Sequence, residues 1–425
     1  MDLPDIEIIH LELEASAKPR AEGEESPCRT QPESARWEAV VNTLKTHYYE
    51  PDLGAARVLY ASVAAHDLDG QPVWPMAVAP PGSMKSELIT ALDGMPNVFL
   101  VDAVTPKTFL SGQIPDDKTP TTRAASLLHR IGKSGIVLIP DFSTIQSMKA
   151  DERSAVFASL RKIFDGKLSK EFGTAEKVEA WEGRITVVVG TTPEIDRQRA
   201  MNQALGERFV MVRWRRAGIE AAKRAIVQDR KGAHRELRDA VSNLLLNLPN
   251  GEVEISATWR ERIVALAEIA VHGRTTVHRH QNTKELLEDP QPESPTRLAQ
   301  QLCQLAKGSA RLDGRAHVSP ADFEIAKRAA FDSIPPRRLE VLLAVAEGRT
   351  LKIKNSTMRY DVEDLQDLGL LEGANGLTRT CLDLFESVKG ATSNVTDSPP
   401  RSNEEMNTEV GETLRESGPV APSSI

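Results

Sequence analysis

The sequence predicts an α/β protein: a parallel sheet with crossover helices, then a helical region, then a small module of helices and a two-stranded turn. Three observations predict it. Short Val/Ile-rich runs alternate with amphipathic segments of helical length between residues 70 and 216. The first run, Val73-Trp74-Pro75-Met76-Ala77-Val78, passes through Ala79-Pro80-Pro81-Gly82-Ser83-Met84 into Lys85-Ser86 and a helix. Beyond residue 217 the apolar residues recur at helical rather than alternating spacing.

In chain order, residues 1–35 are acidic and rich in Pro, Ser and Glu, a composition that predicts disorder with a transient strand at 6–13. A helical lead-in is expected over 36–69. Trp37, Val40, Val41 and Leu44 share one helical face, and Ala56, Val58, Leu59 and Val63 another. The sheet domain, 70–216, adds strands at 98–101, at Gly135-Ile136-Val137-Leu138-Ile139, at 185–189 and at 210–214. Helices are expected at 123–131, at 151–164 and on through Met201, with a polar hairpin-like insertion at 166–183. Helices at 217–228, 234–246, 257–271, 295–312 and 320–332 fill the helical region, 217–334, interrupted by a polar loop at 274–293. Pro335-Pro336 marks a boundary. The last module, 335–390, has helices at 337–347 and 357–368 and a turn at Asn375-Gly376. Residues 391–425 are again Ser/Pro/Glu-rich and predicted disordered.

The formal net charge of -8 is concentrated at the ends. Residues 1–35 carry nine Asp/Glu against three Lys/Arg, and 391–425 carry six against two, which leaves the middle at +2. A near-neutral folded part gives no general electrostatic argument for nucleic acid. Cys28, Cys303 and Cys381 are odd in number and widely spaced, as in a chain of reduced thiols. His272, His278 and His280 lack a Cys or carboxylate framework and read as loop residues rather than metal ligands. No run is long and apolar enough to span a bilayer and no signal-peptide pattern opens the chain, so a cytoplasmic location is expected.

The strand–turn–helix at 73–92 has the chemistry of a phosphate cradle. Backbone N–H groups of the turn and helix start face the anion, Lys85 brings a positive charge, and the Ser86 hydroxyl is able to hold Mg²⁺. The usual G-x-x-x-x-G-K-S/T spacing is kept, with Ala79 and Met84 in place of the two glycines. A nucleotide with Mg²⁺ is therefore the expected ligand, bound by residues Ala79, Pro80, Pro81, Gly82, Ser83, Met84, Lys85 and Ser86.

The order of a phosphate loop, an acidic strand end (Asp141), a Thr-Pro strand end (Thr192-Pro193), an Arg-Phe strand (Arg208-Phe209), a helical lid and a C-terminal winged helix-turn-helix resembles the AAA+ ATPases. Within them it is most similar to the MCM and MoxR branch and its phage-type ATP-binding relatives, over roughly residues 70–390. MCM-type loops also carry a non-glycine residue before the Lys, as Met84 does here. The resemblance implies that the nucleotide is ATP and that Ser86 and Asp141 serve Mg²⁺. It implies that Thr192 holds the γ-phosphate or a water, although a Thr capping the following helix reads equally from the residues. Arg208 would reach a neighbouring subunit's nucleotide, a role worth about 10³–10⁵ in rate, or else is a surface Arg before a strand. Arg297, opening the lid helix at Ser294-Pro295-Thr296-Arg297-Leu298, would be a second sensor arginine. The family carries Asp-Glu where this chain has Asp141-Phe142. Asp141 is then either the metal-side acid with no base beside it, or a shortened base with the metal acid missing. Asp151 or Glu152 would be borrowed acids.

The insertion 166–183 resembles the pore hairpin of that branch. Lys167, Lys170 and Lys177 interleave with Phe172 and Trp181, which suits phosphate contact and base stacking, but Glu171, Glu176, Glu179 and Glu182 nearly cancel the charge. In the last module Lys352, Lys354, Arg359 and Tyr360 are placed for DNA contact, while Asp361, Glu363, Asp364 and Asp367 oppose it and leave protein docking open. The expected function is an oligomeric ATP hydrolase, a ring or filament of copies of this chain, acting on DNA or DNA-bound complexes in replication or mobile-element processes. The alternatives are a weakly or non-hydrolysing, nucleotide-gated DNA-binding regulator and a MoxR-like remodeller of a partner protein. No membrane partner is expected.

Overall fold

Five apolar runs pair into one parallel sheet, the inner ones too uniformly apolar to leave either face in water and the edge strand Val98–Leu100 partly exposed. The computed structural model describes residues 34–110, 126–170, 179–196, 207–214, 218–280, 282–349, 351, 353, 356–373 and 376–389. Most of the segments predicted to be disordered, the helix expected through Met201, and Lys352, Lys354, Phe172 and Lys177 lie outside these residues.

The chain divides into two compact units. The first comprises Met1–Ser256 and Gln300–Ser333. It opens with α1 (Ser34–His47) and α2 (Leu53–Ala64), the latter capped by Asp52, whose side chain accepts from the Ala55 N–H. Then come β1 (Trp74–Val78), α3 (Lys85–Thr90), β2 (Val98–Leu100), α4 (Leu127–Ile131) and β3 (Ser134–Ile139). They are followed by α5 (Ser143–Gln146), α6 (Ala150–Phe164), the antiparallel pair β4 (Lys167–Lys170) and β5 (Glu179–Glu182), and β6 (Arg184–Thr191). A 3₁₀ turn, Pro193–Asp196, leads towards β7 (Phe209–Arg213), and α7 (Ile219–Val227) and α8 (Arg230–Leu246) close this stretch. Helix α10 (Thr296–Leu312) from Gln300 onward, its first four residues being assigned to the second unit, and α11 (Pro320–Ser333) supply the rest of the unit. Among the described residues α4 starts at Leu127, after an extended Ser126 (φ -146°, ψ 156°), and the part of the expected helix at 123–125 lies outside them.

The strand order is β2-β3-β6-β1-β7, all parallel. Side chains alternate between the faces. Trp74, Met76, Val78, Val187, Val189, Phe209 and Met211 bury one face with Phe157 and Leu160 of α6. Helices α2, α3 and α11 pack on strands β1, β6 and β7. Trp74 is fully buried, donates to the Ile185 carbonyl at 2.7 Å and meets Phe164 edge-on at 5.1 Å.

At the N-terminal end of the sheet, His66 bridges two hydroxyls, Thr186 Oγ1 at 2.9 Å and Ser134 Oγ at 2.8 Å. Burial pushes its imidazole down to about 4, opposed by Asp67 and assisted by Arg184. The folded state thus holds His66 neutral where the unfolded chain binds a proton. Its contribution is complete above the ordinary value of about 6.5 and is lost as pH falls towards 4, amounting to about 3 kcal/mol. Urea unfolding at pH 7 and pH 4.5 is expected to show this loss in the wild type. The same two measurements on His66→Gln should lack that component of the pH dependence.

The second unit comprises Ala257–Ala299 and Ile334–Ile425. It contains α9 (Ala257–Arg274), α12 (Pro336–Ala346), α13 (Ser356–Asp367), the two-stranded β8 (Leu371–Glu372) and β9 (Gly376–Leu377), and α14 (Arg379–Lys389). Pro336 sits at the first turn of α12, where its missing N–H leaves no bond unmade. Helix α14 packs on α9 and is not among the helices expected from the sequence. Its signals are the spacing of Cys381, Phe385 and Val388, all buried, and Thr378 Oγ1, which accepts from the Cys381 N–H.

Candidate phosphate-binding site

The sequence of β1 ends where its neighbours also end, so the segments after it must share one edge of the sheet. From β1 the chain runs towards the β2 edge, and from β6 it runs across β1 to β7. Adjacent strands whose connections leave in opposite directions open a crevice beyond their C-terminal ends. The loop 79–84 lies at that end, since Val78 pairs with Thr191 on one side and with Arg213 on the other.

The loop is held from three sides. The Ala79 N–H donates to the Thr191 carbonyl at 3.2 Å. Ser83 Oγ donates to the Pro80 carbonyl, and the Trp214 indole N–H donates to the Ser83 carbonyl at 2.6 Å. Gly82 (φ 78°) and Met84 (φ 62°) are left-handed, which reverses the chain just before α3. Among the described residues nothing accepts a hydrogen bond from the backbone N–H groups of Gly82, Ser83, Met84, Lys85 or Ser86. Main-chain donors that the chain itself leaves without an acceptor would form the first half of an anion cradle.

Lys85 is the second half. Its Nζ donates to the Thr191 carbonyl at 2.9 Å and to the Ala79 carbonyl at 3.4 Å. Partial burial lowers its pKa, and the carboxylate of Asp141 opposes that shift, which brings the two charges within electrostatic range. The stem of Lys85 is fixed by Gly190: a Cβ there would lie 2.4 Å from the Pro140 carbonyl oxygen, 3.0 Å from Ile89 Cδ1 and 3.2 Å from Lys85 Cδ. Ser86 is exposed beside it.

Asp141 follows β3, next to β6, and its exposed carboxylate accepts from the Ser143 N–H at 3.0 Å and from the Ser143 hydroxyl. Phe142 turns the other way. It is fully buried, stacks on Phe157 at 6.4 Å and meets Phe209 at 5.8 Å. Its N–H donates to the Gly190 carbonyl at 2.7 Å. The acid at this strand end is therefore Asp141, and the position after it belongs to the core. Asp151 and Glu152 are exposed in the first turn of α6.

The other expected residues are placed differently. The Thr192 carbonyl accepts from Ile195 and opens the 3₁₀ turn; the buried hydroxyl without a partner is that of Thr191. Arg208 precedes Phe209, which pairs with Trp74, so it stands at the far end of the sheet, roughly 16 Å of strand from the loop. It is 8% exposed, bonded to Asp165 at 3.2 Å and lying over Phe164 at 5.5 Å. Within its own chain Arg208 is thus held by Asp165 and Phe164 rather than standing free on the surface. The arginine at the loop's end of the sheet is Arg213, which pairs with Asp196 through two bonds of 2.7 and 2.8 Å. Arg297 belongs to the second unit and pairs there with Glu293 at 3.4 Å.

Trp181 is likewise spent internally. It is 7% exposed and donates to the Gly132 carbonyl at 2.6 Å, while Lys170 donates to the Pro106 carbonyl at 2.7 Å. Trp181 is therefore buried away from the base stacking expected of the hairpin, whereas the half-buried Lys170 is held, among the described residues, by a neutral carbonyl alone. In the second unit the four acids of α13 are neutralised: Asp361 by Arg337, Glu363 by Arg359, Asp364 by Arg338 and Arg279, and Asp367 by Arg279. The repulsion expected from them is correspondingly weaker. Arg359 keeps 71% of its side chain exposed and Tyr360 is half-buried.

Among the described residues there is no group of three or more His, Cys, Asp or Glu placed to hold a metal ion, and no helix is long and apolar enough to cross a membrane. Comparison with protein-family models gives no match to this chain, and comparison with curated proteins gives none either.

Proposed function

We propose that this chain binds ATP with Mg²⁺ in the manner of an AAA+ P-loop protein and hydrolyses it as part of an oligomer acting on DNA or a DNA-bound complex. The observation that carries the proposal is the Lys85 ammonium. It is held by two neutral carbonyl oxygens at the C-terminal edge of a parallel sheet, next to a loop of unengaged N–H donors. A cation and main-chain donors in that arrangement call for a polyanion. Residues 79–86 would cradle the phosphates, with Lys85 against the outer ones.

Magnesium fits the same edge, since the exposed Ser86 hydroxyl and the Asp141 carboxylate are the oxygen donors such a hard cation takes. When bound, such an ion would supply positive charge that offsets the charge of the phosphates. Asp141 would be one of its oxygen donors, oriented by the bond it accepts from the Ser143 N–H. Arg297 would add a lid cation, and Arg208, held within its own chain by Asp165 at 3.2 Å, would act on the nucleotide of an adjacent copy.

The burial of Phe142 favours a second reading, a nucleotide-gated binder that turns over slowly, because no carboxylate follows Asp141 to orient a water. Calorimetric titration with ATP and Mg²⁺, alongside steady-state phosphate release with and without single- and double-stranded DNA, separates the two. Binding with release well above background supports the hydrolase, and binding without release supports the gated binder. No binding at millimolar ATP sinks both.

For the nucleic-acid partner, the paired acids of α13 and the exposed Arg359 support DNA contact by the second unit. DNA affinity is expected to fall steeply between 50 and 200 mM salt and to drop about tenfold in Arg359→Glu. Binding that ignores both salt and Arg359 would point to protein remodelling instead.

A further inference from the structure

Helix α7 is built inside out. Its one long polar anchor faces the body of the unit: Arg224 donates to the carbonyls of Lys45 and Thr46 at the end of α1. Ala221, Arg224 and Gln228, spaced three and four apart, are the half-buried line of this segment. The opposite line is apolar and open, with Ile219 76% and Ile226 84% exposed, and Val227 beside it at 83%. None of the nine residues of α7 is buried. A surface helix ordinarily turns its apolar stripe to the core and its charges to water. Here a stripe of large aliphatic side chains awaits a cover.

We propose that the cover is the chain's own N-terminal segment, residues 5–13, docked on α7 of the same molecule. Three features fit that occupant. Asp5-Ile6-Glu7-Ile8-Ile9-His10-Leu11-Glu12-Leu13 carries five large aliphatic residues, a density that the other terminal segment, 391–425, does not approach. The charges are complementary: residues 1–17 contain five acids and no Lys or Arg, whereas 215–231 contain six Lys/Arg against two acids. Charge of opposite sign around an apolar stripe sets register and suppresses wrong partners.

The reach is also sufficient. The chain enters α1 at Ser34, where Arg36 bonds the Asn247 carbonyl, and α7 is anchored at the other end of α1. A helix of 14 residues is about 21 Å long. Residues 14–33 can span about 65 Å when extended, so the segment returns along α1 with slack. A tether of this length holds the segment at an effective concentration on the order of millimolar, so a weak contact is enough to keep the stripe covered.

Hydrogen exchange on the full-length protein tests this. The amides of 219–227 should exchange about tenfold slower in wild type than in a variant with Ile6, Ile8, Leu11 and Leu13 all changed to Ser. The amides of 5–13 should be slower in wild type than in Ile226→Glu, and Ile226 is exposed enough for that change to leave the fold intact. Both differences should be unchanged over a thirtyfold range of protein concentration. Equal exchange of α7 in wild type and the four-Ser variant overturns the proposal. Protection that grows with concentration also overturns it, because a second copy would then be the cover.

Discussion

Lys85→Ala is expected to weaken ATP binding by between tenfold and a hundredfold and to take phosphate release to background. The size of the effect follows from what the ammonium does in the structure. Its two acceptors, the carbonyls of Thr191 and Ala79, are neutral, so its charge has no full counter-ion beyond the influence of Asp141. A charge-assisted hydrogen bond to a phosphate oxygen is worth about 1.5–3 kcal/mol, which is one to two powers of ten in affinity. Turnover should fall further than affinity, because charge on the transferring group grows in the transition state and removal of one aimed donor there costs about 10²–10³ in rate. Stability should change little, since the truncated side chain is half-buried and leaves only carbonyls that water can reach. Titration calorimetry, a phosphate-release assay and a melting curve on the same preparation read all three. Unchanged ATP affinity in a folded Lys85→Ala protein would remove the basis for placing phosphate in the loop.

Much of the sheet and part of the site are legible in the amino-acid sequence alone. The Val/Ile runs mark the strands because a parallel sheet buries both faces and tolerates no polar alternation. Lys85 and Asp141 pair as candidates because each lies just beyond the end of such a run, Lys85 after a six-residue loop and Asp141 after Pro140. What local sequence does not carry is register across the sheet. Nothing near Arg208 and Arg213 says which of them stands at the loop's end, since the answer depends on Trp74 pairing with Phe209 and Val78 with Arg213. The same holds for Trp214, whose bond to Ser83 spans 131 residues, and for Phe142, whose place among Phe157 and Phe209 fixes the register of Asp141. Trp181 misleads for a related reason. An aromatic among lysines and glutamates looks available for stacking, yet its indole N–H finds a carbonyl from another segment.

Gly190→Ala is the change that tests whether sheet and site are one object. A Cβ at residue 190 would sit 2.4 Å from the Pro140 carbonyl oxygen, and that oxygen cannot retreat freely. Pro140 is fixed by Asp141 on one side, and the Phe142 N–H two residues on is bonded to the carbonyl of Gly190 itself. The other contacts are Ile89 Cδ1 and Lys85 Cδ, so the strain is shared between the strand ends and the lysine stem. Overpacking of this kind costs about 1–3 kcal/mol, offset by about 0.5–1 kcal/mol because Gly is itself poor in a strand, which leaves a net loss of about 1 kcal/mol. ATP affinity should drop about tenfold as Lys85 Nζ leaves the Thr191 carbonyl. Val189→Ala is the matching control. Val189 is fully buried on the opposite face of the same strand, so its truncation costs stability of a similar order by leaving a cavity. It should leave Lys85, and therefore ATP affinity, where they were. If the two variants lost affinity in proportion to stability alone, the packing of Lys85 against Gly190 would have no bearing on the ligand. If only Gly190→Ala loses affinity, the absence of one methyl group at the end of β6 is what sets the position of the cation.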